Sequence, residues 1–166
     1  MRLTLVCSKQ AIKKTNTYHD PKTNKEKRKS DISKNELMRN MIKACKRNNL
    51  NYKYILADSW FSSRDNMNCI KHDIKKDFIM ALKTNRLAAL SLEDKIKGRF
   101  VRIDSLEKKS NTVKQVYLKG IAFPLTLTKQ VFTNNDGSIG VLYLISNDIN
   151  LTYDQITTIY QKSKIF

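Results

Sequence analysis

Glycine is scarce in this chain of 166 residues: only four occur, and none opens a helix directly after a strand. That excludes the glycine-rich turns with which nucleotide-binding enzymes surround phosphate with backbone amides. Cysteine is no more abundant. Cys7, Cys45 and Cys69 are odd in number and lack the spacing of a metal site. Cys45 and Cys69 fall on apolar helical stripes and read as buried thiols in a reducing compartment. The two histidines, His19 and His72, stand far apart in charged surroundings, and neither is assigned a role. No apolar run approaches the ~20 residues of a membrane span, and no signal-peptide pattern opens the chain. A cytoplasmic location without a membrane partner is the expectation.

Acidic residues are also few, and positive charge dominates. Thirty-two Lys and Arg oppose 15 Asp and Glu, a net charge of +17. Such an excess suits a polyanionic partner such as nucleic acid. Lysine outnumbers arginine 24 to 8, and isoleucine and asparagine reach 16 and 15 copies. An A+T-rich genome would enrich all of these, so the charge supports DNA contact without establishing it. Hydrophobic content of 40% with 28% charged residues fits a globular chain able to bury a core.

Periodicity orders the chain. Leu3 to Cys7 is continuously apolar and reads as a buried strand. Residues 9–30 are polar, with a turn at Asp20-Pro21 and a basic run from Lys22 to Lys29, a solvated hairpin or loop that could touch phosphates. Ser33-Lys34-Asn35-Glu36 is a capping box, followed by the apolar face Leu37, Met38, Met41, Ile42 and Cys45. The strand 54–57 comes next, then a helix opened by Ser62 with Met67, Ile70 and Ile74 inward, then a third strand at 78–82. Strand, helix, strand, helix, strand argues a parallel α/β sheet. Beyond Arg86 the pattern changes. A short helix at 87–97 precedes strands at 100–103, 113–118, 125–132 and 141–145, with a hairpin turn at Asn134-Asn135-Asp136-Gly137. A second capping box, Thr152 to Gln155, opens a last helix lined by Ile156, Ile159 and Tyr160. The predicted organisation is an α/β core over 1–86, a β-rich insertion over 87–150, and the start of a final helix over 151–166.

The densest signal is Tyr54-Ile55-Leu56-Ala57-Asp58-Ser59-Trp60-Phe61, a strand that runs into a carboxylate just before a helix. The carboxyl ends of strands in open α/β sheets are where ligands and catalytic groups collect. A turn-forming aspartate is the plain alternative. This segment, together with 78–86 and 142–162, resembles the DDE-type insertion-sequence transposases. The resemblance implies a partial ribonuclease-H-like fold, parallel strands with crossover helices, in which three acidic residues converge on two divalent metal ions for DNA strand cleavage and transfer. It implies that Asp58 is the second catalytic aspartate and a ligand for magnesium or manganese, with Trp60, Phe61 and Tyr160 as motif residues. Lys83 and Arg86, just past a strand end, are candidate phosphate contacts.

The match is incomplete. The family signature places an arginine three residues after the tyrosine, where this chain has Ser163, and its glutamate would fall beyond Phe166. Leu3 to Cys7 resembles the family's third strand, so the first aspartate is also missing. Asp20, Asp65, Asp104 and Glu107 have no spacing that marks them as substitutes. A fragment truncated at both ends and inactive alone is therefore expected, with doubtful metal binding and with DNA and intact transposase copies as partners. The alternatives are a non-catalytic basic DNA-binding or regulatory protein, and a small α/β enzyme using Asp58 in phosphoryl chemistry. The family's sheet runs in the order third, second, first, fourth, fifth strand. With its neighbours missing, the Leu3 strand would either stand apart across a gap or pair directly with the Tyr54 strand in an arrangement unlike the family's.

Overall fold

A computed structural model describes residues 3–7, 16–29, 31–106 and 111–162. The elements follow in the order β1 (Leu3–Cys7), β2 (Asn16–Asp20), β3 (Lys25–Lys29), α1 (Lys34–Arg47), β4 (Tyr52–Ala57) and α2 (Arg64–Asn68). A π-helical segment, Cys69–Ile74, continues α2 and leads to β5 (Asp77–Leu82). After it come β6 (Leu87–Ala89), α3 (Leu92–Ile96), β7 (Val101–Arg102), β8 (Val113–Leu118), β9 (Leu125–Thr133), β10 (Ile139–Ser146) and α4 (Tyr153–Gln161). Eight strands form one mixed sheet in the order β1-β4-β5-β10-β9-β8-β6-β7, and β2 and β3 form a separate antiparallel hairpin.

The chain is mixed α/β, and its parallel part is as expected. β1 pairs parallel with β4, and β4 parallel with β5. The Leu3 strand thus takes the direct pairing with β4, the arrangement unlike that of the family the sequence resembles, and no gap separates them. Three expectations need correction. The 87–150 block is β-rich but does not stand apart from the α/β sheet, because β10 pairs antiparallel with β5 and joins both parts. Residues 87–97 do not form one helix. Leu87–Ala89 is a strand paired with β7 and β8, and only Leu92–Ile96, capped by Ser91, is helical. The strand expected at 100–103 shrinks to two residues before a 3₁₀ turn.

Alternation along the strands sends side chains into two cores. Ile55, Ala57, Phe78, Met80, Leu82, Tyr143 and Ile145 pack on one face with Met38 and Ile42 of α1 and Met67, Ile70 and Ile74 of the α2 segment. Tyr54, Leu56, Ile79, Ala81 and Leu144 face the other way, against Leu151, Ile156 and Tyr160. Tyr52 breaks the alternation and lies with the first set. The cause is a register shift: Leu3 pairs with Tyr52 but Leu5 with Ile55, so β4 carries one extra residue there. Such a bulge reverses the facing of everything before it.

The helix starts follow local chemistry. Ser33 accepts the Glu36 amide at 3.1 Å, the hydroxyl half of the expected box. Met38 and Ile42 are buried as their spacing predicts, whereas Met41 is 44% exposed. Thr152 and Gln155 complete both halves of the second box. The hairpin joining β9 to β10 turns where expected, with Gly137 at a φ of +82° that favours glycine.

Candidate functional site at the carboxyl edge of the parallel strands

Strand β4 is apolar on both faces because cores lie on both sides of it, and it stops at Ala57, where the chain bends. The carboxylate of Asp58 accepts the Trp60 amide at 2.8 Å, and the Asp58 carbonyl accepts the Phe61 amide at 3.1 Å. This is the aspartate-initiated turn of the plain reading, and it stands at the end of a buried parallel strand. Ser62 donates its hydroxyl to the Ser59 carbonyl at 2.9 Å. The cap of α2 is Ser63 and not Ser62: Ser63 accepts the Asn66 amide at 3.2 Å. Phe61 is buried in the first core, while Trp60 is 51% exposed.

Contacts bring the six residues that the sequence singles out to one turn, directly or through their chain neighbours Ala57 and Ser62. The Lys83 ammonium lies 5.3 Å from the centre of the Trp60 ring. Arg86 donates to the Ser62 carbonyl at 2.9 Å, and burial lowers the pKa of its guanidinium. Lys83 is exposed and Arg86 half-buried, so the two differ in role: Arg86 braces the Asp58 turn, and Lys83 faces solvent. From the opposite face of the sheet, the Tyr160 hydroxyl points to the Ala57 carbonyl at 3.4 Å. Burial, with the Asp58 charge adding to it, raises the Tyr160 phenol to about 12. The turn after β4 and the last helix, about a hundred residues apart in sequence, therefore share one corner.

Sequence reasoning missed two buried asparagines, one of which holds this corner in place. Asn66, fully buried, accepts from Arg39 at 2.8 Å and donates to the Phe61 carbonyl at 2.8 Å and to Asn35 at 2.7 Å. It ties α1, α2 and the Asp58 turn together. At the other end of β5, Asn147 accepts the Phe78 amide at 2.7 Å and donates to Asp77 at 3.0 Å. The signal for Asn66 was a polar residue one helical turn before Ile70 on the apolar stripe, and such a residue is rarely buried without partners.

Among the described residues, no group of three His, Cys, Asp or Glu side chains could hold a metal ion. Of the other acids considered, Asp20 accepts the Lys22 amide, Asp65 pairs with Arg64, Asp104 is gripped by Arg102, and Glu107 lies outside the described residues. One carboxylate that also holds its own turn, with Lys83 and Arg86 on the residues around it, is a poor donor set for a hard divalent ion. The described residues do not form a donor set for a magnesium or manganese pair. His19 is exposed and contacts Asn24, while exposed His72 lies edge-on to Phe123. Cys69 is buried, Cys45 half-buried, and burial raises the Cys69 thiol pKa. Cys7 is in β1, and its side chain is outside the described set. No helix among the described residues is long and apolar enough to cross a membrane.

No protein-family model matches the chain, and no curated protein does either.

Proposed function

We propose that this chain is part of the ribonuclease-H-like catalytic domain of a DDE-type insertion-sequence transposase, the part that carries the second aspartate as Asp58. By itself it binds DNA and does not cut it. The observation that carries this reading is the corner where Asp58, at the end of a buried parallel strand, meets Tyr160 on a helix some hundred residues later. In the family that the sequence resembles, a strand-end aspartate and a late helix converge in just this sense. The net charge of +17 and exposed Lys83 favour a polyanion.

Inactivity follows from the donor set. The acids of such a centre act as a unit, and losing one member commonly lowers rate by several orders of magnitude. That same deficit favours a second reading, a basic regulator that occupies DNA or joins an intact transposase. Both readings need DNA contact, and only the first needs transposase coding sequence around it.

Two experiments test the proposal. Incubation with magnesium or manganese and DNA is expected to give no nicking, and duplex binding should weaken steeply as salt rises. Nicking that disappears in Asp58→Ala would overturn the inactivity. Sequencing the DNA on either side should reveal codons for an aspartate-ended strand upstream and a glutamate-bearing helix downstream. Unrelated coding sequence there refutes the family assignment.

A further inference from the structure

Trp60 is the single tryptophan of the chain and is half exposed, although its neighbours Phe61 and Ser62 are 4% and 3% exposed. An indole on a loose loop tip would call for no account. Here the turn is tied at every residue: through the Asp58 carboxylate and carbonyl, the Ser59 carbonyl and the Arg86 guanidinium. The fold therefore presents a half-exposed indole from a hydrogen-bonded turn, with the exposed Lys83 ammonium over the ring, 5.3 Å from its centre. A flat π-surface next to a cation is the pairing that single-stranded nucleic acids use: the ring takes a base and the cation a phosphate.

We propose that Trp60 and Lys83 form a stacking platform for one unpaired nucleobase, with the lysine on the adjoining phosphate. Bases inside a duplex are already stacked and cannot reach the ring, so the platform selects a single strand or a base turned out of the helix. Stacking carries no hydrogen-bond code, and the site should tolerate any base. This inference rests on the nucleic-acid part of the function proposed above and not on strand cleavage.

Because no other tryptophan is present, its emission reports on this ring alone. The probes are thymidine and uridine oligonucleotides of about 20 nucleotides, long enough to exceed a typical single-strand site, a duplex of equal length, and heparin. Both single strands should quench the emission, whereas duplex and heparin should not at equal occupancy. Anisotropy should show thymidine-oligonucleotide affinity falling about tenfold in Trp60→Ala and partly recovering in Trp60→Phe, with heparin binding unchanged. Quenching by only one of the two single strands would support the platform and identify its source as DNA or RNA. Single-strand binding without quenching, and equal in Trp60→Ala, would overturn the platform while leaving nucleic-acid binding intact. Failure to bind any of the four polyanions would overturn both.

Discussion

The two faces of the sheet are built on different scales. Toward α1 and the α2 segment, 22 described residues form one buried cluster that runs from Met38 to Ile145 and includes Phe61 under the Asp58 turn. Toward α4 the cluster has eight, and the helix that covers it is nine residues long. Asp58 stands where the two meet. Its turn is anchored in the thick core, and Tyr160 reaches it from the thin one. Local opening draws on the regions with the least buried apolar surface, so the Tyr160 side of the corner should detach well before the turn itself moves.

Matched truncations would break that contrast or sharpen it. Ile70 and Ile156 are both fully buried, one in each cluster. Ile70→Ala leaves a hole that dense surroundings cannot close and is expected to cost about 4 kcal/mol, against about 2 kcal/mol for Ile156→Ala, where a short helix can settle inward. Urea denaturation measures both, and equal losses would mean that the faces are equally rigid. Next in size is Thr152→Ala, which removes the hydroxyl that caps α4. It should cost about 1 kcal/mol, and hydrogen exchange should speed up over 153–161 while α1 is unaffected.

A third contrast is a pH dependence. The Tyr160 phenol is raised to about 12 in the fold, above an ordinary tyrosine near 10. Its contribution is fully present below pH ~10 and is lost as pH climbs towards ~12, because the unfolded chain ionises first. The urea midpoint should fall across that window, and less so in Tyr160→Phe. Asp58→Asn should bring the phenol's ultraviolet titration to lower pH, since it removes the nearby charge. An unchanged titration would separate Asp58 from Tyr160 and dissolve the shared corner.

Much of this was legible in the sequence where local chemistry and tertiary need agree. The Thr152 capping box and the Asn134–Gly137 turn fall where predicted because each is set by a few neighbouring residues, and the parallel strands do so because helices between apolar runs leave that pairing as the natural one. The turn at Asp58 was legible for a similar reason: a strand pattern that ends in a carboxylate marks an edge. Three things were hidden. Leu87-Ala88-Ala89 suits a helix by composition, yet pairing with β7 and β8 makes it a strand, since a missing sheet partner outweighs alanine's preference. Tyr52 and Tyr54 look like one face but are divided by a bulge that only the register with β1 reveals. Arg86 and Lys83 read as a pair of phosphate contacts, and only the position of the Ser62 carbonyl separates them.

The winding of Cys69–Ile74 has a consequence for insertions and deletions. Met67, Ile70 and Ile74 keep a spacing that any α-helix would show, yet the segment is π-helical and closes on Lys75 in a left-handed conformation. A π-turn holds one residue more than an α-turn, so removing a single exposed residue such as His72 would let the segment tighten to the ordinary i+4 pattern with Ile74 and β5 kept in place. An added residue has no such outlet: it would push β5 by one position against β4 and turn Phe78 away from its core. This stretch should therefore tolerate the loss of one residue far better than the gain of one.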